Sequence, residues 1–287
     1  MNIMAVERQD TFGWAAAADL FLGGVGAGLF LISFIMELLD KYEPLARIGT
    51  ISGPILVLVA TFILFADLGV KTKFYRLFRN PLSWMSRGTW VITIFILFGL
   101  AYSLPAFWQL DWKGTALGNA IGIVAAIFAI LTSLYTGFLF AAVKRISFWN
   151  TAALPLLFFA SSLYGGMAIL LLIAPFFTAS PDDTFSVLVI AEIILILIQL
   201  FVLGIFLEIA KLGSTPTAES ARMLRGPAFV IGVIVAGLIV PLGLLSYYAA
   251  ASNTLALPML AGILLLVSNF FLRYYILRAG VRVPVYP

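Results

Sequence analysis

The chain contains no cysteine and no histidine in its 287 residues. Thiolate and imidazole groups are the usual protein ligands of iron–sulfur clusters, haem iron and structural zinc. The sequence therefore excludes a cysteine-bound cluster, a bis-histidine haem and a Cys/His zinc site. Ser-His-Asp and Cys-His catalysis are excluded for the same reason. A redox function would require electrons from a partner protein and a bound small molecule as their acceptor.

Charged side chains are also scarce, at 10% of the residues, whereas 63% are hydrophobic and the mean hydropathy is +1.11. This composition is typical of an all-α integral membrane protein surrounded by lipid, and nothing in it indicates nucleic-acid binding. Eight apolar stretches are long enough to cross a hydrocarbon core of roughly 30 Å. We predict spans at residues 15–39, 50–70, 88–109, 117–143, 150–175, 184–211, 227–250 and 255–277.

The two halves of the chain resemble each other weakly. MSRG at Met85–Gly88 precedes the third span, and MLRG at Met223–Gly226 occupies the matching place before the seventh. We therefore predict two four-helix bundles related by a parallel internal repeat, at residues 1–145 and 146–287. The alternative is a chance resemblance between apolar helices.

Basic residues are distributed unevenly across the predicted membrane. Eight spans place both termini on one side, here called the terminal side, which carries 14 of the 17 Lys and Arg residues. The opposite side carries only Lys41, Arg47 and Lys113. The positive-inside rule then predicts cytoplasmic termini and a location in the cell (inner) membrane. A second interpretation, compatible with the first, is that the basic side docks an acidic protein.

The first span combines an acidic residue with a cluster of glycines. Asp19 lies about one turn inside its start, and a carboxylate in hydrocarbon costs about 2.5–3.5 kcal/mol on insertion scales, so Asp19 indicates a functional site. The next turns contain four glycines, Gly23, Gly24, Gly26 and Gly28. They leave room beside the backbone for a neighbouring helix or a flat ligand. The alternative for Asp19 is an interfacial residue that reaches for water.

Further polar residues fall within the predicted spans: Asp67, Tyr135, Glu192, Gln199, Glu208 and Arg273. Intramembrane carboxylates indicate a proton path, which would use Asp67, Glu192 and Glu208. Glu192 and Gln199 are seven residues apart and therefore lie on one helix face. The alternatives are structural ion pairs for Asp67 and Glu208, an interface anchor for Tyr135 and a snorkelling anchor for Arg273.

Several segments occur in an order that resembles the NrfD/PsrC family, the membrane subunits of polysulfide reductase and related respiratory complexes. They are WAAAADLFLGGVGAG at Trp14–Gly28, ADLG at Ala66–Gly69 followed by NPLSWMSRGTW at Asn80–Trp90, YTGFL at Tyr135–Leu139 and PLLFFASSLYGG at Pro155–Gly166. The resemblance covers the whole chain. The order of the motifs is more specific than any one of them.

The resemblance implies a subunit that exchanges electrons between a docked iron–sulfur protein and a quinone in the first bundle. The family's quinone-contacting tyrosine matches Tyr135, and its polar residue in the first span, often a histidine, matches Asp19. Both would hydrogen-bond the quinone or exchange its protons, while Gly23, Gly24 and Gly26 would let the ring lie close to the helix. The second bundle would be structural or hold a proton path.

The resemblance also implies the cofactor and the partners. The cofactor of this chain would be a quinone, either menaquinone or ubiquinone, with no haem and no iron–sulfur cluster. The partners would be a ferredoxin-like iron–sulfur subunit on the terminal side and a molybdopterin catalytic subunit behind it.

Two other classes of function remain open. A proton-coupled secondary transporter also fits parallel repeats and buried carboxylates, but would place cavity-lining residues at the bilayer midplane in both halves. A structural anchor also fits the composition. An anchor, however, would not need Asp19, Glu192 and Gln199, whose burial in a membrane is energetically unfavourable. The polar residues gather toward one side and one half, which favours a one-sided quinone site.

Overall fold

The computed structural model describes residues 13–67, 75–80, 83–106, 114–177, 183–251 and 254–281, and most of the residues in these segments are helical. Within the described segments, eight helices are long and apolar enough to cross a membrane, which confirms the predicted fold class. Seven of them are Trp14–Leu38 (α1), Glu43–Asp67 (α2), Trp84–Ser103 (α4), Ala116–Ala141 (α5), Ala153–Ile173 (α6), Asp183–Leu212 (α7) and Ala256–Arg278 (α11).

The remaining span, the seventh in chain order, consists of α9 (Pro227–Phe229), a π-helical segment (Val230–Ile239) and α10 (Val240–Ala251). Two short helices on the terminal side, α3 (Arg76–Arg79) and α8 (Thr215–Leu224), precede the third and the seventh spans.

The spanning helices pack as two closed rings of four. In the first ring, α1 and α4 each contact both α2 and α5; in the second, α6 and α10 each contact both α7 and α11. The rings join through α1 and α6, with further contacts between α5 and α6 and between α1 and α11. The matching neighbours in the two rings are what a parallel repeat predicts. The repeat itself and its boundary after residue 145 stay predictions.

Glycines bring the two rings into close contact. A Cβ atom at Gly28 of α1 would overlap the backbone of Ser162 in α6, and one at Gly166 of α6 would overlap the α1 backbone. On another face of α1, Gly26 lies against the backbone of Gly53 in α2. Small residues allow this kind of close helix approach, which replaces side-chain packing by backbone contact.

We expect Gly28→Ala to destabilise the protein by about 1–3 kcal/mol, because the overlapped atoms belong to the backbone and the helices must move apart. Gly204→Ala is the matched control, since a Cβ atom at Gly204 of α7 meets open space. The measurement is thermal unfolding of the purified protein in detergent. Equal unfolding midpoints for the two variants would contradict the proposed role of Gly28.

The second span begins earlier than the sequence predicted. Sequence analysis placed its start near residue 50 and interpreted Glu43 and Pro44 as part of a break, whereas α2 begins at Glu43. Proline is tolerated in the first helical turn, because the missing amide hydrogen would have had no partner there. The residues interpreted as a break are the first turn of the helix.

Pro54 lies inside α2 and cannot donate a hydrogen bond to the carbonyl of Thr50 one turn earlier. The Ser103 hydroxyl of α4 lies 3.0 Å from that carbonyl and 2.9 Å from the Gly99 carbonyl of its own helix, and its one hydrogen is shared between them. The Pro54 ring also packs against Gly99 of α4. The contact between α2 and α4 thus brings a donor to a backbone carbonyl that the proline leaves without one.

Aromatic side chains fill the interior of the first ring. Phe30 and Phe95 are fully buried and meet edge to face at 5.4 Å between ring centres. Phe34 meets Tyr102 at 5.4 Å in the same way. The Tyr102 hydroxyl donates a 2.7 Å hydrogen bond to Glu37, near the side opposite the termini. Aromatic side chains therefore dominate the described interior of this ring, which also buries hydroxyl groups such as that of Ser33.

Candidate functional site

A fully buried arginine lies where α1, α6 and α11 meet. Arg273 is 0% exposed, and its nitrogens lie within hydrogen-bond distance of five acceptors, three of which share the two hydrogens of Nη2. Its partners are the carbonyls of Leu20 and Phe158, the hydroxyls of Ser161 (2.8 Å) and Ser162 (3.0 Å) and the side chain of Asn269 (3.1 Å). A buried charge is tolerated when such groups replace its hydration, so Arg273 links the two rings electrostatically.

Local sequence positions this guanidinium. Asn269 precedes Arg273 by one helical turn and also donates to the Ser161 carbonyl of α6 at 2.5 Å. Gly24 of α1 leaves the space that the guanidinium occupies, since a Cβ atom there would overlap it. The interpretation of Arg273 as a snorkelling anchor is therefore wrong, because its charge points between helices and not toward the membrane surface.

Asp19 and Tyr135 lie on the terminal side of the first ring, and both are half-buried. The Asp19 carboxyl interacts electrostatically with the Arg273 guanidinium and with the Tyr135 hydroxyl. The Tyr135 ring packs against Gly88 of α4, where a Cβ atom would overlap it. Three helices, α1, α5 and α11, thus bring a carboxyl, a phenol and a fixed positive charge together.

The polar groups around this pair are available to a ligand. Among the described residues, neither the Asp19 carboxyl nor the Tyr135 hydroxyl forms a hydrogen bond. The Thr136 hydroxyl, next along α5, is buried without a partner in the described part of the chain. Unpaired polar groups below the membrane surface are costly, so their presence fits the site of a polar head group.

The glycines of α1 lie against other parts of the chain. Gly24 faces Arg273 and Gly26 faces α2, while an ideal Cβ atom on Gly23 would lie 3.8 Å from the Ala60 side chain. The helix-packing alternative accounts for each of these contacts. A flat ligand bound near Asp19 would therefore also contact parts of the chain other than these glycines.

The second ring contains buried polar groups on two helices. Glu192 and Gln199 of α7 are fully buried, and both polar side-chain atoms of each lack hydrogen bonds to described residues. The hydroxyl of Tyr164 on α6 is likewise buried and unbonded. It interacts electrostatically with both Arg273 and Glu192. Tyr164 is therefore coupled electrostatically to the Arg273 guanidinium and to the carboxyl of α7.

The other two predicted carboxylates differ from Glu192. The Glu208 side chain is 57% exposed and pairs with Arg225 at 3.0 Å and with Lys211 at 3.3 Å. This arrangement is the ion-pair alternative considered from the sequence. Asp67 is the last residue of α2, and its side chain lies outside the described residues.

An eight-span helical protein that holds unpaired polar side chains among its helices belongs to the class of integral membrane proteins with an embedded polar site. The chain belongs to the NrfD family, because the family profile described as "Polysulphide reductase, NrfD" matches residues 4–284.

Individual relatives match over nearly their full length. The C subunit of the polysulfide reductase of Wolinella succinogenes is 27% identical over 312 residues, covering 98% of both sequences. Protein NrfD of Escherichia coli is 27% identical over 302 residues, covering 93% of this chain and 94% of the relative. The NrfD homolog of Haemophilus influenzae is 25% identical over 299 residues, covering 93% of both.

Proposed function

We propose that this chain is the quinone-reactive membrane subunit of a respiratory oxidoreductase. The observation that carries the proposal is the Asp19–Tyr135 pair, which is half-buried, unbonded among the described residues and adjacent to the buried charge of Arg273. Family membership supports the role as a subunit, since one relative is named as a single component of polysulfide reductase.

A bound quinone would supply a two-electron, two-proton couple. Tyr135 would donate a hydrogen bond from its hydroxyl, and Asp19 would accept or return a proton at its carboxyl group. Arg273 would hold a fixed positive potential beside Asp19. Gly88 would keep the Tyr135 ring in place through direct backbone contact.

Electrons would reach the site from outside this chain, because the sequence has no cysteine or histidine to hold a redox metal centre. We propose a ferredoxin-like iron–sulfur subunit docked on the terminal side, with a molybdopterin catalytic subunit behind it. Asp19 and Tyr135 lie near that side, which would keep the electron-transfer distance short.

The proposed function is tested by purifying the intact complex and then the chain alone. We expect the complex to reduce or oxidise a water-soluble menaquinone or ubiquinone analogue. The isolated chain should bind the same analogue but show no haem Soret absorption and no stoichiometric iron. Failure of both preparations to bind the analogue, or a haem spectrum from the isolated chain, would contradict the proposal.

We further propose that the termini face the cytoplasm, because the terminal side carries 14 of the 17 basic residues. A reporter fused after Pro287 that is active only in the cytoplasm should then be active, and one active only outside the cell should be silent. The reverse result would overturn this orientation. The basic terminal side would then remain as a docking surface for an acidic iron–sulfur subunit.

Protons would move through the second ring. We assign this role to Glu192, which is fully buried and unpaired among the described residues. The sequence also suggested Glu208 for this path; we leave it out of the proposal, because its side chain is exposed and paired with two cations. Asp67 keeps its sequence-based assignment as a candidate.

A further inference from the structure

An apolar groove lies between the two rings, near the side opposite the termini. Helices α1 and α7 both pack on α6, and the groove runs between them with a volume of about 590 Å³. This volume is within the range of roughly 300–1,000 Å³ that is usual for ligand sites. Its described apolar lining includes Ile32, Ile35 and Met36 of α1, Met167 of α6, and Val187 and Leu188 of α7.

The groove opens toward the bilayer. Ile35 and Val187, which line it on α1 and α7, are 54% and 56% exposed. Space lined by aliphatic side chains does not hold ordered water, so hydrocarbon fills it in a membrane. A chain inside a groove gains dispersion contacts on several sides, whereas a chain on a flat helix surface gains them on one. The groove therefore favours one ordered acyl chain.

The turn after α1 places a positive charge at the groove. Lys41 and Tyr42 are its described polar lining residues. Asp40 (φ 49°) and Tyr42 (φ 59°) on either side of Lys41 are in the left-handed conformation, which is uncommon for residues other than glycine. The amide of Lys41 donates a 3.0 Å hydrogen bond to the Met36 carbonyl, which fixes this turn. The exposed Lys41 side chain forms no ion pair with a described residue.

A polar hollow of about 500 Å³ adjoins the groove at Lys41, the one described residue that lines both. The polar residues of the hollow are Glu37, Asp40, Lys41, Glu43, Tyr102 and Asn119. Glu37 accepts hydrogen bonds from Tyr102 and Thr50, so its carboxylate has partners within the chain. Asp40 and Glu43 are exposed. The hollow thus presents one ammonium group at the groove and two exposed carboxylates beyond the groove.

We propose that the groove and the polar hollow together bind one phospholipid with a phosphoethanolamine head group. An acyl chain lies in the groove, the phosphate pairs with Lys41, and the ammonium group donates hydrogen bonds to Asp40 and Glu43. The lipid contacts α1 of the first ring and α7 of the second, so it joins the rings on the side away from the Arg273 network. This inference does not depend on the quinone chemistry.

The charges of the hollow also predict which head groups bind less well. Phosphatidylglycerol has a phosphate for Lys41 but no positive charge for Asp40 and Glu43, which would repel it. Phosphatidylcholine carries both charges, but its quaternary nitrogen has no hydrogen to donate to a carboxylate. We therefore expect affinity to fall from phosphatidylethanolamine through phosphatidylcholine to phosphatidylglycerol when the acyl chains are identical.

Native mass spectrometry of the purified full chain, delipidated in detergent and titrated with each dioleoyl lipid, measures this order. We expect one tightly bound phosphatidylethanolamine per chain. Lys41→Gln should weaken its binding by about threefold to tenfold, as for loss of one polar contact. Lys144→Gln is the matched control, since Lys144 is an exposed lysine on the terminal side. Tighter binding of phosphatidylglycerol, or equal binding by the two variants, would overturn the inference.

Head-group selectivity has its own test in the double variant Asp40→Asn/Glu43→Gln. Asparagine tolerates the left-handed conformation of position 40, so the turn should be kept. The variant should lose the preference for phosphatidylethanolamine over phosphatidylglycerol, because neutral amides neither attract the ammonium group nor repel an anionic lipid. An unchanged ratio of the two affinities would show that these carboxylates do not contact the head group, and the inference would fail.

Occupation of the groove is tested by filling it. Val187→Trp should reduce phosphatidylethanolamine binding several-fold, whereas Val267→Trp, at a 49% exposed valine of α11 outside the groove, should not. Added phosphatidylethanolamine should raise the thermal unfolding midpoint of the Val267→Trp protein more than that of the Val187→Trp protein, because a ligand of the native state stabilises it. If Val187→Trp instead displaces a quinone and leaves lipid binding intact, the groove holds a quinone tail and the inference is wrong.

Discussion

Arg273→Met should lower the free energy of unfolding by about 3–5 kcal/mol, or abolish accumulation of the protein in the membrane. The substitution roughly keeps the side-chain volume but removes the donors that face all five acceptors. It leaves the Ser161, Ser162 and Asn269 side chains with unmatched polar atoms, and Asp19 without its neighbouring positive charge. Because the network joins α1, α6 and α11, the substitution should mainly weaken the packing of the two rings against each other.

Two further variants make this result specific. Arg273→Lys keeps the charge but cannot bond to acceptors on three helices at once, so we expect an intermediate loss. Arg222→Met is the control, since Arg222 is 82% exposed in its pair with Glu219 and surface pairs contribute little. Thermal unfolding in detergent measures all three. An Arg273→Met protein as stable as the Arg222→Met protein would contradict the role given to the network.

Hydropathy predicted the eight spans because the length and apolar character of a helix are local properties. The start of α2 was missed for a local reason as well, since Glu43 and Pro44 are typical both of a turn and of a helix start. The rings were predicted from a weak repeat, and the packing of the helices shows two rings with matching neighbours.

The Arg273 network could not be predicted, because it joins residues that are far apart in sequence. Ser161 and Ser162 precede Arg273 by more than a hundred positions and are small neutral residues that hydropathy tolerates anywhere. The available signals were the adjacent serines in the PLLFFASSLYGG motif and Asn269 one turn before the arginine. Position along a helix gave the depth of Arg273 but not the direction in which it points.

Contacts between distant parts of the chain also explain why the predicted carboxylates differ in burial. Glu192 and Glu208 share one helix, but one is fully buried and the other is mostly exposed. Sequence position correctly made Glu192 the deeper of the two. Whether a face of α7 points into the ring or outward depends on the helices packed beside it, and the tertiary fold determines which helices those are.

The Asp19–Tyr135 site should be sensitive to loss of single polar atoms. Tyr135→Phe removes one hydrogen bond to the neutral quinone. We expect this to cost roughly 0.5–1.5 kcal/mol of binding free energy, or about threefold to tenfold in affinity. Asp19→Asn removes the group that exchanges a proton, so we expect a loss on the order of 10²-fold in turnover. Reduction of a soluble dye by the partner subunits should be unaffected, because that reaction does not pass through the site.

Tyr247→Phe provides the matched control, since Tyr247 is also a spanning-helix tyrosine but is 59% exposed. The measurements are quinone-analogue affinity of the isolated chain and quinone-linked turnover of the assembled complex. Asp19→Asn should change turnover much more than affinity, whereas Tyr135→Phe should change affinity first. If both variants assemble and behave like Tyr247→Phe in each measurement, the quinone binds elsewhere, and the roles given to Asp19 and Tyr135 are wrong.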